Sequence, residues 1–281
     1  MTADDDRRPG ERYPVARSAR DVVPILMYHS ISETSSPATR AWTHSPSTLR
    51  THLGVLADEG CVPLTVSEYL AARRGHRPMP ARPVVLTFDD GYRDFVTNAL
   101  DLLAAARARA TLYVASAYIG KTSDWRRPGA RLPMLSRREL ADLPVDLVEV
   151  GAHGHTHAKL DTLSPAAAAD EIRRSRAEVE DATGRAVSTF AYPHGSYDRE
   201  VRRLVREAGF SGACAVRHAL SWSGDDDYAL ARVIVAPDLR ARDLSAVVRG
   251  VALALAGERP RIRTRAWRLA QRTRSRLRAL R

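Results

Sequence analysis

Two adjacent carboxylates offer the clearest chemistry in this chain. Asp89 and Asp90 follow the apolar run Val84-Val85-Leu86-Thr87-Phe88 and precede Gly91-Tyr92. A short apolar run ending at a turn reads as an interior strand, and the glycine frees the backbone to turn. Burying unpaired charge is costly, so two Asp residues closing a core strand suggest work for them; a solvated Asp-Asp-Gly turn is the plain alternative. Two distant stretches shift that balance. Gly151-Ala152-His153-Gly154-His155-Thr156-His157 carries three imidazoles, and Phe190-Ala191-Tyr192-Pro193-His194-Gly195 carries a fourth. His153 and His157 are four residues apart, which predicts both rings on one face of a helical turn. In a more extended backbone His153 and His155 would pair instead. Two imidazoles with a carboxylate from another segment make a metal site that keeps a position open for water.

The elements that must position these residues alternate in type. Strands are predicted over 22–28, 61–64, 84–88, 110–115, 146–151, 187–191, 212–216 and 230–235. Helices are predicted from Pro46 to Gly60, from Thr65 onward, and over 95–108, 136–143, 164–184, 198–208 and 244–256. Ser45-Pro46 supplies an N-cap with proline at the first helical position. Thr65…Glu68 and Ser136…Glu139 are capping boxes. Strand and helix alternating this regularly predict an α/β fold with a parallel sheet. Seven or so units favour a single (β/α) barrel, distorted, with about seven strands. In such barrels function sits at the C-terminal ends of the strands. His29, Asp89-Asp90, His153…His157 and Pro193-His194-Gly195 all fall there.

Charge divides the 281 residues unevenly. The formal charge is +11, yet 258–281 holds ten Arg and one Glu, so the remainder is close to neutral. The sequence therefore reads as a disordered lead at 1–20, one domain at 21–257 and a basic amphipathic helix at 258–281. Ile262, Ala266, Leu269, Ala270, Thr273, Leu277 and Leu280 form its apolar stripe. Such a helix suits peripheral contact with an anionic membrane, or packs its stripe on the barrel. A near-neutral body without a recognition motif speaks against nucleic acid as a partner. The N-terminus lacks the apolar stretch of a signal peptide, and no run reaches membrane-spanning length. A cytoplasmic location, or one at the inner membrane face, is expected. Cys61 and Cys214 read as buried thiols with no disulfide framework.

Thr87-Phe88-Asp89-Asp90-Gly91-Tyr92 resembles the first motif of the polysaccharide deacetylase family (NodB homology, carbohydrate esterase family 4). The stretches 149–157 and 190–195 resemble its second and third motifs. Leu26-Met27-Tyr28-His29-Ser30 resembles the opening of the branch that includes bacterial poly-N-acetylglucosamine deacetylases. The resemblance spans about 22–235 and implies a NodB-like catalytic domain at 21–257. It implies a metal-dependent hydrolase that removes an N-acetyl group from a carbohydrate substrate, an acetylated amino sugar or polysaccharide. Asp90, His153 and His157 would hold a divalent metal ion, zinc first, with cobalt, nickel or manganese as substitutes. Asp89 would be the general base. Tyr192, Pro193, His194 and Gly195 would face the substrate, with the backbone N–H at His194 holding the oxyanion.

The chain departs from the family pattern in four places. The general-acid His of a late Leu-x-His motif is absent from 230–237; His29 is the candidate in its place, its other reading being a buried, backbone-bonded His. The Arg that orients the base is Ala191 here, and Arg232 is a candidate substitute. The tyrosine after the third motif's proline is His194, which bears on substrate choice. No fourth motif is found, and Asp225-Asp226-Asp227 reads as a solvated loop. A lipid- or nucleotide-linked acylamino sugar is an alternative substrate, and an inactive carbohydrate-binding barrel is the reading that the intact Asp89, Asp90, His153 and His157 oppose.

Overall fold

A computed structural model describes residues 22–125 and 131–250. The expected lead at 1–20 and the expected basic helix at 258–281 lie outside the described residues. Seven parallel strands curl into one sheet: β1 (Ile25–Tyr28), β2 (Pro83–Phe88), β3 (Ala110–Val114), β4 (Val148–Ala152), β5 (Thr189–Ala191), β6 (Gly212–Cys214) and β7 (Val233–Ile234). Their order is β6-β5-β4-β3-β2-β1-β7. The segment entering β7 closes the ring. Leu230 N–H donates to Ala213 O at 2.9 Å and Leu230 O accepts from Ala215 N–H at 2.8 Å, while Val233 and Ile234 lie opposite Leu26 and Met27 of β1. The fold is thus the distorted (β/α) barrel that the alternation predicts. The short strand Val62–Leu64 adds to the start of β2.

Burial on both faces explains the unbroken apolar character of β1 and β2: every residue of Ile25–Tyr28 and Val84–Phe88 is buried. Helices α1 (Pro46–Asp58), α2 (Val66–Arg73), α3 (Leu100–Ala105), α4 (Arg137–Ala141), α5 (Pro165–Thr183), α6 (Arg199–Glu207) and α7 (Ala241–Val248) surround the sheet. Their starts follow local chemistry. Ser45 Oγ accepts from Thr48 N–H at the head of α1, and both capping boxes form, at α2 and α4. Several boundaries differ from expectation. A π-turn at Phe95–Ala99 replaces the first part of the helix expected over 95–108. A small two-stranded ladder that was not expected pairs Thr43–His44 with Ser30–Ile31. Cys214 is buried as expected, but Cys61 is only half-buried.

Helix α2 stoppers the barrel at its N-terminal end. Leu64, Val66, Tyr69 and Leu70 pack with Ile25, Val85, Tyr113, Cys214 and Leu230 as one apolar cluster. Tyr113 lies inside the barrel because position 151 is glycine. A Cβ there would come within 2.5 Å of the Tyr113 ring. With the lower end filled, polar side chains are left at the upper end, where the strands finish.

Candidate active site

Strand pairing carries the chemistry-bearing residues to the same end of the barrel. Asp89 N–H donates to Tyr28 O at 3.0 Å, and His153 N–H donates to Val114 O at 2.9 Å. Each is therefore locked to the strand beside it just beyond β2 and β4. Asp90 then takes a left-handed backbone, φ 81°, followed by Gly91 at φ 85°. Asp tolerates this region better than most residues, and the reversal turns its carboxylate towards the two imidazoles. Asp90 Oδ1 lies 3.1 Å from His157 Nε2 and 3.4 Å from His153 Nε2. All three side chains are buried, and their donor atoms lie within 4.8 Å of one another. His153 Nδ1–H donates to Ala191 O at 2.8 Å, which fixes the tautomer and turns Nε2 towards Asp90. A metal-binding histidine is commonly oriented by such a bond on its other nitrogen. The donor set therefore fits a divalent ion of the borderline class that takes imidazole and carboxylate ligands.

Two imidazoles on one helical turn was the expectation; the structure corrects it. Residues 153–159 form no helix. Gly154 sits at φ 73° and His157 at φ 58°, so the chain loops outward and returns His157 to the site. His155 points away from the Asp pair. Its Nδ1 bonds Glu178 Oε2 on α5 at 2.8 Å, which leaves His153 and His157 as the pair facing Asp90.

Asp89 lies beside this trio, with Oδ2 4.0 Å from His153 Nε2. Arg232 grips it with two parallel bonds, Nη1 to Oδ1 at 2.7 Å and Nη2 to Oδ2 at 2.8 Å. The guanidinium is fully buried and gives two further donors to Thr87 Oγ1 and Ala215 O. Arg232, the candidate substitute for the Arg missing at Ala191, thus contacts Asp89 directly from just before β7. Burial alone would push the Asp89 carboxyl up; the Arg232 charge, with His153, brings it below its ordinary value. The same contest at Asp90 ends well below the ordinary value, through His157 and His153. Burial works to lower His153, yet the Asp89 and Asp90 carboxylates raise it.

His29 follows β1, next to β7 as the barrel order requires. It is half-buried and close enough to lower both Asp carboxyls. In the third-motif turn, Gly195 N–H bonds Tyr192 O and Ser196 N–H bonds Pro193 O; neither bond uses the His194 N–H. His194 holds φ 57° and is exposed, with its ring 4.4 Å from that of His157. Gly195 is buried where a Cβ would meet Val216 at 2.6 Å. Tyr192 does not present its side chain to substrate as expected. It is fully buried, donates its hydroxyl to Tyr228 O at 2.9 Å and stacks on Tyr197. Pro193 is buried as well, so this turn offers backbone at 192–195 and one side chain, that of His194. Trp125, which the motifs did not single out, stacks on His157 with ring centres 4.6 Å apart. Its only sequence signal is a tryptophan in a long polar loop.

A family model described as polysaccharide deacetylase matches residues 76–213, which contain all three motifs. The chain belongs to that family. Membership makes it a hydrolase of N-acetyl amide bonds that depends on a metal. YxkH of Bacillus subtilis (strain 168), which carries the name of a polysaccharide deacetylase, is 24% identical over 217 residues, 77% of this chain and 72% of that protein. The poly-beta-1,6-N-acetyl-D-glucosamine N-deacetylase of Staphylococcus aureus (strain MSSA476) is 22% identical over 213 residues, 73% of this chain and 71% of that protein. Among solved structures, the Streptococcus pyogenes deacetylase PplD in complex with acetate superposes with a TM-score of 0.70 at 21% identity, covering 79% of this chain and 96% of that one. That likeness speaks for the fold.

Proposed function

We propose that this chain removes the acetyl group from an N-acetylated amino sugar within a glycan, with Asp90, His153 and His157 holding the metal and Asp89 acting as base. The observation that carries the reading is the buried Asp90–His153–His157 trio with an Arg-clamped carboxylate beside it. A divalent ion held by these three residues, zinc being our choice, would supply Lewis acidity towards the attacking water and the acetamide carbonyl. Asp89 accepts the proton of the attacking water on a carboxylate oxygen. Arg232 keeps that carboxylate ionised and fixes its direction. The backbone N–H of His194 donates to the oxyanion. His29 gives a proton to the leaving amine nitrogen, the general-acid role that amide cleavage requires. The His194 side chain, exposed beside His157, lines the substrate side.

The glycan assignment draws on the relatives' names; a lipid-linked amino sugar keeps the same chemistry. Acetate release from acetylated glucosamine oligomers and from lipid-linked acylamino sugars tests both, with Asp89→Asn as the chemical control. Release from neither, by metal-loaded protein, overturns the reading. The Arg-rich stretch at 258–281 fits contact with an anionic membrane surface, each Arg contributing about 1 kcal/mol. Sedimentation with anionic vesicles, comparing the full chain with one ending at Gly257, tests that contact: equal binding by both removes it.

A further inference from the structure

We infer that Glu171, on the outer helix α5, is a positioning residue for the metal site, holding the loop that carries His157 in its binding conformation. The inference rests on the metal reading above and concerns a residue outside all three motifs. Glu171 accepts three hydrogen bonds from the two residues midway between the histidine ligands. Its Oε2 takes His155 N–H at 3.0 Å and Thr156 N–H at 2.8 Å, and its Oε1 takes the Thr156 hydroxyl at 2.6 Å. Two successive amides converging on one oxygen form a small anion-binding hollow, filled here by the protein's own carboxylate.

The loop needs such a partner because its backbone is unusual at both ends. Gly154 and His157 both have positive φ, and left-handed backbone at a non-glycine residue persists only where its surroundings hold it. Gly154 is fixed by its φ and by Pro193, which a Cβ there would approach to 3.1 Å, and Glu171 Oε2 lies at ordinary contact distance, 3.6 Å, from the same point. Glu178 lies two turns along the same helix face and repeats the device. It accepts from His155 Nδ1 at 2.8 Å and from the Ser116 hydroxyl at 2.6 Å. Both contacts to the His155 ring fall on Nδ1, so Ser116, His155 and Glu178 form a brace and not a nucleophile–base relay. The platform is rigid. Helix α5 is capped by Ser164 and Gly184 and buries Ala168, Ile172, Ser175, Val179 and Ala182.

The test is zinc affinity of the metal-stripped protein, read by competition with a chromogenic chelator. Glu171→Ala should weaken binding by about 10–100-fold, the range typical for partners that orient a ligand, while the melting temperature of the stripped protein stays within a few degrees of the parent. Glu171→Gln keeps a carbonyl oxygen for the two amides and should recover most of the affinity. A folded Glu171→Ala protein that binds zinc as tightly as the parent overturns the inference. Should that variant not fold, Glu171→Asp decides: it keeps the charge and α5 but withdraws the carboxylate by one methylene from both amides, and unchanged affinity there is equally fatal. His157→Ala runs alongside. If it binds zinc like the parent, the metal reading fails and the role of Glu171 falls with it, whereas zinc lost in His157→Ala and kept in Glu171→Ala overturns the role of Glu171 alone.

Discussion

Two groups of buried histidines lie around the ends of the barrel strands, and they are chemically opposite. His153 and His157 share the Asp90 carboxylate, and His153 is raised above its ordinary value. His44 and His52 are equally buried, packed around Tyr28 between β1 and α1. Burial, with His52 beside it, pushes His44 down to about 4, and burial lowers His52 too. Tyr28 donates its hydroxyl to His52 Nδ1 at 3.0 Å, and His52 Nε2–H donates to Leu239 O at 3.0 Å. Every polar contact of His52 thus suits a neutral ring. A carboxylate within reach, more than burial, separates imidazoles poised for a cation from imidazoles used as polar packing.

The sharpest way to break this contrast is to exchange the groups' fates by mutation. His157→Ala should abolish stoichiometric divalent-metal binding, whereas His44→Val should leave it intact. Metal content after chelation and reloading reads both, and a metal-free His44→Val protein would erase the distinction. Next in size is the base. Asp89→Asn should retain the metal and lower turnover by about 10²–10⁴-fold, the range for one acid–base group. Arg232→Met leaves a buried carboxylate without its partner and should cost about 3–5 kcal/mol in a urea melt. The same change lets the Asp89 carboxyl rise, so the acid limb of the kcat/KM profile should move to higher pH.

The second histidine group predicts acid sensitivity. The folded value of His44, about 4, lies below its ordinary 6.5, so the unfolded chain takes the proton first. Its contribution is complete above pH 6.5 and is lost as the pH falls towards 4, by about 3 kcal/mol in all. His44→Val should flatten the stability profile over that interval; an unchanged slope would show that other groups set it. The smallest expected effect lies away from both groups. Gly151→Ala forces a Cβ against the Tyr113 ring and should cost about 1–3 kcal/mol, with Tyr113→Leu restoring part of it.

The sequence made some of this legible and hid the rest for physical reasons. Asp89-Asp90 and His153…His157 stood out because charge and imidazole closing apolar strands have few structural excuses. The barrel followed from alternation and capping chemistry. The loop shape at 153–157 did not, since four-residue spacing suits a helix and only the φ of Gly154 and His157 decides otherwise. Arg232 was visible as a candidate, but a bidentate clamp between residues so far apart depends on ring closure, which no local pattern encodes. Tyr192 misled because a motif aligns positions, while strand parity and the space beside Tyr197 decide where a side chain points. His52 carried a usable signal, a histidine within the Leu49, Leu53 and Leu56 stripe of α1. Glu171 carried none, being one carboxylate among many on a charged helix.

The left-handed backbone at Asp90 has a bearing on how this site could decay over generations. Asparagine accepts that conformation nearly as readily as aspartate and is a single-base change away. Of the substitutions that discard the ligand charge but keep the side chain's size and shape, it is the one the turn absorbs without strain. A lineage that drifted through it would keep its barrel, its expression and its melting behaviour while the chemistry fell silent. Among descendants of this chain, sound folding is therefore uninformative about activity, and the residue at position 90 is the first thing to inspect.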